Sequence, residues 1–376
     1  MIDILQTLIA FPSVTGEYTA NNQGLEYIDT FLSERGMHVE RFEFNGFESL
    51  VATTQRTKTP AVMLQAHLDV APAPERLFTL RDDHEKLYGR GVFDMKFAIT
   101  AYLQMVDDIK DRLHDYDFGI MITCDEEIGG FDGVYKLVEA GYVPKKVCIL
   151  PDGGDNWAIE TFAKGIWFGQ ITMPGTSAHG SRPWEGESAL EKLIALLEEL
   201  KKLVPNQGRE TNTMTIGTLH AGKIVNQIPD EAIAELDFRT MTLAEHTRLK
   251  AAAAKLCAEH GATIAFSAEG IPCINDITNP YIKRFADIIE QVIGHPGGTT
   301  MSFAGSDARH FSAVGVPCVI VRPDGGSHHG DGEWLSREGL FQLRTILCQY
   351  IDDMARTTKQ PVAAGQSIDQ LATSRV

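Results

Sequence analysis

His67 and Asp69 stand two residues apart at the C-terminal end of Met63-Leu-Gln-Ala-His-Leu-Asp-Val70, an apolar run between the turn-prone Lys58-Thr-Pro60 and Ala71-Pro-Ala-Pro74. On a strand both side chains point to one face. A carboxylate beside an imidazole can hold one ring nitrogen as N–H and leave the other free for a metal ion. Alone, a His-x-Asp reads equally well as a core histidine satisfied by its neighbour. This one has company. Asp94 ends Gly89-Arg-Gly-Val-Phe-Asp just before a helix, where an Asp commonly serves as N-cap. Asp125, Glu126 and Glu127 follow a second apolar run, and adjacent carboxylates repel one another unless cations hold them. An exposed acidic turn is the plainer alternative there. Asp152, in Leu150-Pro-Asp152-Gly-Gly154, and His328-His329, in Gly326-Ser-His-His329-Gly-Asp-Gly-Glu333, repeat the theme after two more apolar runs.

Together these segments put imidazoles and carboxylates after successive buried strands, where open α/β sheets place their ligand sites. His67, Asp94, Glu127, Asp152 and one late histidine make a set of two imidazoles and three carboxylates. If one carboxylate bridges two ions, each ion gains an imidazole and a further carboxylate. Zinc accepts that N/O set and keeps a position for water. Glu126 is then the spare carboxylate, free to take a proton from that water.

The elements that must position these residues are legible as alternating periodicities. Helical spacing covers 2–10, 20–35, 95–113 and 130–140, and strands are expected at 37–43, 48–54, 61–68, 117–124 and 147–150. Buried strands alternating with helices predict an α/β layer with a mixed, largely parallel sheet sandwiched by helices. Near residue 163 the pattern changes. Half-exposed strands at 166–173, 213–220 and 232–239, helices at 186–204 and 242–259 and a last strand at 262–267 give a strand–helix–strand–strand–helix–strand order. That order predicts an inserted α+β, ferredoxin-like domain with one sheet face on solvent. Buried-strand character returns at 316–322 among helices at 279–293, 307–313 and 335–355. The expected organisation is a catalytic domain in two parts, 1–164 and 274–357, a lid at 165–273, and a mobile polar tail at 358–376.

The chain of 376 residues carries a formal net charge of −17, which disfavours nucleic acid or an anionic membrane surface as partner. Six cysteines form no CxxC pair and lie mainly in apolar runs, as reduced thiols of a cytoplasmic protein do. Met1-Ile-Asp-Ile-Leu has no basic region and no long apolar core, so no signal peptide is expected, nor is any apolar run of membrane-spanning length present.

The order His-x-Asp, Gly-Arg-Gly-x-x-Asp-Met-Lys, Glu-Glu-x-Gly, Asp-Gly, Ser-Ala-His-Gly and a late His with Glu four residues on resembles a known family. It is the co-catalytic zinc family of succinyl-diaminopimelate desuccinylases, acetylornithine deacetylases, aminoacylases, glutamate carboxypeptidases and related di- and tripeptidases. The resemblance covers roughly residues 1–355. It implies two zinc ions, replaceable by cobalt or manganese, and an inserted lid that often mediates dimerisation. By position it implies His67 and Asp152 on one zinc, Glu127 and His329 on the other, and Asp94 bridging. Asp69 then orients His67 and Glu126 is the general base. His329 is preferred to His328 because Glu333 follows it by four residues. In the lid, Gly175-Thr-Ser-Ala-His179-Gly matches the family's histidine that reaches the substrate carbonyl, and Asn226-Gln-Ile-Pro229 with Asp237-Phe-Arg239 matches a further signature. Gly305-Ser-Asp-Ala-Arg309 resembles the substrate-side loop, where Arg309 either meets a substrate carboxylate or is a surface or helix-capping residue.

There are departures. Ala66 and Phe97 stand where the family favours Gly, and the late motif lacks the usual Pro. Asp152 stands where deacylases usually carry Glu, while peptidase members often carry Asp. The implied function is hydrolysis of an amide bond, removing an acyl group from an N-acyl amino acid by way of a zinc-activated water. The alternatives are a zinc dipeptidase or aminopeptidase, and a non-catalytic relative that only binds a ligand in the cleft. A serine hydrolase fits poorly, because no Gly-x-Ser-x-Gly elbow occurs. The implied assembly is a homodimer through the lid.

Overall fold

The computed structural model describes residues 1–205, 208–303 and 305–357; the expected tail at 358–376 lies outside the described residues. Its centre is a six-stranded mixed sheet. The strands run in the order His38–Phe44, Phe47–Thr53, Phe118–Thr123, Val62–His67, Val147–Ile149 and Cys318–Val319. The last four pair in parallel and the first two join antiparallel. All residues of Val62–His67 are buried, as befits a parallel strand covered on both faces. Its alternate side chains divide the core. Val62, Leu64 and Ala66 join the large cluster under the helices Ile2–Ala10, Tyr18–Glu34, Lys96–Ile109, Pro280–Ile293 and Arg337–Met354. Met63 joins a smaller one on the opposite face, with Val134–Glu139 and Ala308–Ala313.

Two expected elements are shorter than their apolar runs suggest. The anticipated strand at 316–322 pairs with the sheet only at Cys318–Val319. Beyond it, Ile320 O accepts from Glu160 N at 2.9 Å and Arg322 N donates to Gly154 O at 3.1 Å, so the chain serves the neighbouring site loop instead. The helix expected from Gly130 starts at Val134. Before it, Asp125 Oδ2 accepts the N–H groups of Asp132 and Gly133 at 2.7 and 2.9 Å and turns the segment. A strand not anticipated, Ile159–Ala163, lies parallel to Thr299–Ser302 and antiparallel to Cys273–Ile274.

Residues 165–270 form a second layered unit. Gly165–Pro174, Ala189–Leu203, Thr213–Ala221, Glu231–Thr240, Leu243–Glu259 and Thr263–Gly270 follow one another in strand–helix–strand–strand–helix–strand order. The sheet is antiparallel, with its strands ordered second, third, first, fourth, which is ferredoxin-like topology. Ser188 and Thr242 cap its helices by accepting from Glu191 N and Glu245 N, the Ser/Thr-x-x-Glu arrangement of a capping box. Both helices bury one stripe, Leu193, Leu196, Leu200 and Leu249 among it, against a core distinct from the first. Each such leucine contributes roughly 1.5–3 kcal/mol of burial. Trp167 stacks on Phe238 within that core, ring centres 3.7 Å apart. Among the described residues no helix is long and apolar enough to cross a membrane.

Candidate metal centre

The C-terminal ends of the central strands converge on one cleft. Val62–His67 delivers His67, and the turn after Phe118–Thr123 delivers Glu126 and Glu127. The loop after Val147–Ile149 delivers Asp152, and the residue before cis-linked Met95 is Asp94. The closest approaches join five side chains in a row. His67 Nε2 lies 3.3 Å from Asp94 Oδ1 and 4.0 Å from Asp152 Oδ1. His329 Nε2 lies 3.2 Å from Asp94 Oδ2 and 3.0 Å from Glu127 Oε2. The two oxygens of Asp94 thus face two different imidazoles. Ligand atoms of His67, Glu126 and Asp152 fall within 4.8 Å of one another, and so do those of Asp94, Glu127 and His329. His328 lines the same cleft but belongs to neither group.

Main-chain and carboxylate contacts hold these groups from behind. His67 Nδ1 donates to Asp69 O at 2.9 Å, so in the neutral ring Nε2 carries the lone pair. The Asp69 carboxylate is 3.5 Å from the same Nδ1, and it accepts from Thr15 Oγ1 at 2.8 Å and from the N–H groups of Glu126 and Glu127 at 3.3 Å each. Asp69 therefore aligns the glutamate pair as well as the ring. Ala71 N donates to Glu127 Oε1 at 2.9 Å and turns the other oxygen towards His329. Glu333 accepts from Phe93 N and Asp94 N on Oε1, at 2.9 and 3.1 Å, and from Arg90 and Gly91 N on Oε2, at 2.6 and 3.1 Å. Arg90 also donates to His329 O at 2.9 Å. The sequence marks Glu333 only as a spacer to His329; its pairing with residues more than 200 positions away has no local signal. His329 itself sits at φ +61°, a left-handed conformation that a side chain seldom adopts.

The electrostatics call for cations. Burial, then the charge of Asp152, pushes Glu126 well above the usual carboxylate range, and burial with Asp94 does the same to Asp152. Burial opposes ionisation of Asp94 too, yet His329 and His67 hold it well below that range. Hydrogen bonds to Asp94 and Glu127 raise His329 to about 10. His67 Nε2 is buried with no hydrogen-bond partner and faces carboxylate oxygens. A buried imidazole nitrogen without a hydrogen-bond partner, facing carboxylate oxygens, suits a divalent cation. The residues present fit a divalent metal ion.

Three other candidate residues lie elsewhere. His179 is exposed in the ferredoxin-like unit, where its Nδ1 accepts from Ser181 N at 3.2 Å and lies 2.8 Å from Ser181 Oγ. It is not among the residues lining the cleft. Asn226 O accepts from Gly180 N at 2.8 Å and braces the His179 loop. Arg309 is nearly buried, donates to Gly129 O at 3.0 Å and packs under the Glu126–Gly130 turn instead of lining the cleft. Gly130, at φ +66°, completes that turn; a Cβ there would lie 1.9 Å from Asp307 Oδ1. The guanidinium that does line the cleft is Arg322, which sequence reasoning passed over as the end of an apolar run.

The sequence profile of Peptidase family M20/M25/M40 matches residues 63–353. The chain is similar to the succinyl-diaminopimelate desuccinylase of Hydrogenovibrio crunogenus, 25% identical over 370 residues that cover 92% of this chain and 96% of the relative. The Bordetella avium protein of the same name is 27% identical, with 94% and 98% covered. Among solved structures, a Staphylococcus aureus tripeptidase superposes with TM-score 0.76 at 20% identity, covering 94% of this chain and 97% of its own. A Sulfolobus solfataricus metallo-carboxypeptidase does so with TM-score 0.75 at 15% identity, covering 93% and 98%.

Proposed function

Because the chain belongs to peptidase family M20/M25/M40, hydrolases of amide bonds that use divalent metal, we propose that it removes the acyl group from N-acyl amino acids with two zinc ions. One observation carries the dinuclear reading: the two oxygens of Asp94 face His67 and His329 at 3.3 and 3.2 Å. In this reading His67 and Asp152 hold one ion, Glu127 and His329 the other, and Asp94 both. Cobalt or manganese would fit the same donors.

Zinc bound by these residues would supply Lewis acidity for the scissile carbonyl and a more acidic water. The chain does the rest. Glu126, buried and held by Asp69 through its main-chain N–H, takes a proton from the attacking water and returns it to the leaving nitrogen. His179 accepts a main-chain N–H on Nδ1, so its proton sits on Nε2, where it can donate to the oxyanion. It stands on the 165–273 unit, which we take as a lid that brings His179 over the site of a second subunit in a homodimer. Asn226 shapes that loop, and Arg309 supports the turn carrying Glu126. Six unpaired cysteines suit a reducing compartment, the cytoplasm.

A second reading, cleavage of dipeptides or of an N-terminal residue, draws on Asp152, since the family resemblance implies Asp at this position more often in peptidase members than in deacylases. Zinc-loaded protein incubated with N-acetyl and N-succinyl amino acids and with dipeptides, followed by mass spectrometry, tests both. Turnover of none of them, with two zinc ions bound, would leave a ligand-binding protein.

A further inference from the structure

The family profile matches from residue 63 onward, yet one contact of the site comes from before it. Phe11-Pro-Ser-Val-Thr15 leaves the helix Ile2–Ala10 and runs beside Leu68–Val70, the residues that follow the strand Val62–His67. The segment is tied down along its length. Lys96, two residues after Asp94 and wholly buried, donates from Nζ to Leu8 O and Phe11 O at 3.0 and 2.8 Å. Ser13 Oγ donates to Leu68 O at 2.8 Å, Val70 N to Ser13 O at 3.0 Å and Thr15 N to Val70 O at 3.2 Å. From the next helix, Asn21 Nδ2 donates to Val14 O at 3.0 Å. The segment thus straps the Asp94 side of the site to its His67–Asp69 side.

What the strap delivers is one hydroxyl. Thr15 Oγ1 donates to Asp69 Oδ2 at 2.8 Å. Asp69 is fully buried, and its other contacts among the described residues are longer: 3.3 Å to the N–H groups of Glu126 and Glu127 and 3.5 Å to His67 Nδ1. The two oxygens divide these partners. Oδ1 serves Glu126 N and faces the His67 ring, while Oδ2 serves Glu127 N and Thr15. The outer torsion of an Asp side chain is broad, so a partner must fix the plane of the carboxylate. The Thr15 hydroxyl is the short, charge-assisted bond that does so.

We propose that Thr15 is a positioning residue of the metal site: its hydroxyl sets the plane of Asp69, and through it the His67 ring and the Glu126–Glu127 turn. This rests on the metal-site reading and adds to it a residue outside the matched region 63–353. Thr15 acts only through Asp69. Without the hydroxyl the carboxylate keeps only its longer bonds, and both groups that it steers lose alignment. Outer partners of metal ligands are worth about 10- to 100-fold in metal affinity or activity, and a residue one step further out belongs near the lower figure.

Zinc affinity, measured by competition with a chelator, is the first readout and needs no substrate. Thr15→Val keeps the shape and removes the hydroxyl; it should weaken zinc binding about tenfold, and Thr15→Ser should recover most of the loss. On the best wild-type substrate among N-acetyl amino acids and dipeptides, kcat should fall by a similar factor with KM unchanged within about twofold. Urea midpoints show whether each variant is folded, and Thr15→Ala carries the same test if Thr15→Val is not. A double-mutant cycle separates positioning from packing. In Asp69→Ala the route is gone, so adding Thr15→Val should change zinc affinity by less than about twofold. Wild-type affinity in Thr15→Val, or the same tenfold loss in the Asp69→Ala background, would overturn the inference and leave the metal site standing. Wild type that binds no zinc would sink the metal-site reading and the inference with it. Absence of turnover would count against the amide-hydrolase reading alone, because the zinc measurements decide the role of Thr15.

Discussion

Glu333 and Arg90 form an ion pair at 2.6 Å with both side chains almost wholly out of solvent, and each also grips the metal-side loops. The carboxylate collects the N–H groups of Gly91, Phe93 and Asp94, while the guanidinium reaches His329 O. The pair therefore locks the Asp94 loop to the His329 loop. Glu333→Ala would leave a buried guanidinium and three main-chain donors unmatched. It should cost about 3–5 kcal/mol, the usual loss when one partner of a buried pair is removed. Urea unfolding reads this, and zinc affinity should fall with it. A loss below about 1 kcal/mol would mean that water replaces the carboxylate.

Glu126→Gln should retain both metals and lose about 10²–10⁴ in kcat, the range of general-base catalysis. Its main-chain N–H, which Asp69 accepts, is untouched by the change. Metal analysis beside steady-state kinetics settles it. A missing ion would make Glu126 a ligand, a role its closeness to His67 and Asp152 would then explain.

The late histidines separate the same way. His329→Ala should lose one zinc and nearly all activity, whereas His328→Ala should keep two, because only His329 Nε2 lies within 3.2 Å of both Asp94 and Glu127. Inductively coupled plasma measurement of the two purified variants gives the answer, and the reverse pattern would move the ligand to His328.

The convergence on the cleft was legible because His67, Glu127, Asp152 and His329 each come after an apolar run, and Asp94 stands where a Gly-rich loop enters a helix. The strand–helix–strand–strand–helix–strand unit was legible because half-exposed strands such as Glu231–Thr240 alternate cleanly. What escaped is non-local. Ile159–Ala163 has burial without alternation and depends on Thr299–Ser302, far along the chain, for its pairing. Arg322 read as a strand end because nothing nearby in sequence shows that Asp155 draws it to the cleft. Arg309 stays open between a substrate contact and a structural role in the sequence, because its partner, Gly129 O, lies 180 residues away.

His310 gives a pH signature away from the metal groups. It is buried, donates to Gly129 O at 3.1 Å and meets the edges of the Phe131 and Tyr135 rings. Burial, and then the Arg309 charge, lower its pKa to about 3. The unfolded chain binds a proton below about 6.5 that the folded chain refuses, so its contribution to stability is present above pH 6.5 and is lost as pH falls towards 3. In metal-free protein, the stability advantage of wild type over His310→Leu should shrink on acidification by up to about 1.4 kcal/mol per pH unit in that window. Urea midpoints at pH 7.5, 6 and 5 measure it, and a constant difference would show that His310 is protonated in the fold.

Subunit exchange tests the assembly. His179 is exposed on the 165–273 unit and absent from the lining of its own cleft, so it is free to serve a neighbour. In an isologous dimer each subunit gives and receives the same group. His179→Ala and Glu126→Ala are each expected to be inactive. In a mixed dimer, the subunit that keeps Glu126 receives an intact His179 from its partner, and the other site lacks both. Random exchange of equal amounts makes half the dimers mixed, each with one working site of two, so activity should return to about a quarter of wild type. Exchange can be followed by native mass spectrometry with one variant isotopically labelled. Confirmed exchange without recovery would place His179 in the service of its own chain or outside the reaction, and a monomer in that measurement would remove the dimer altogether.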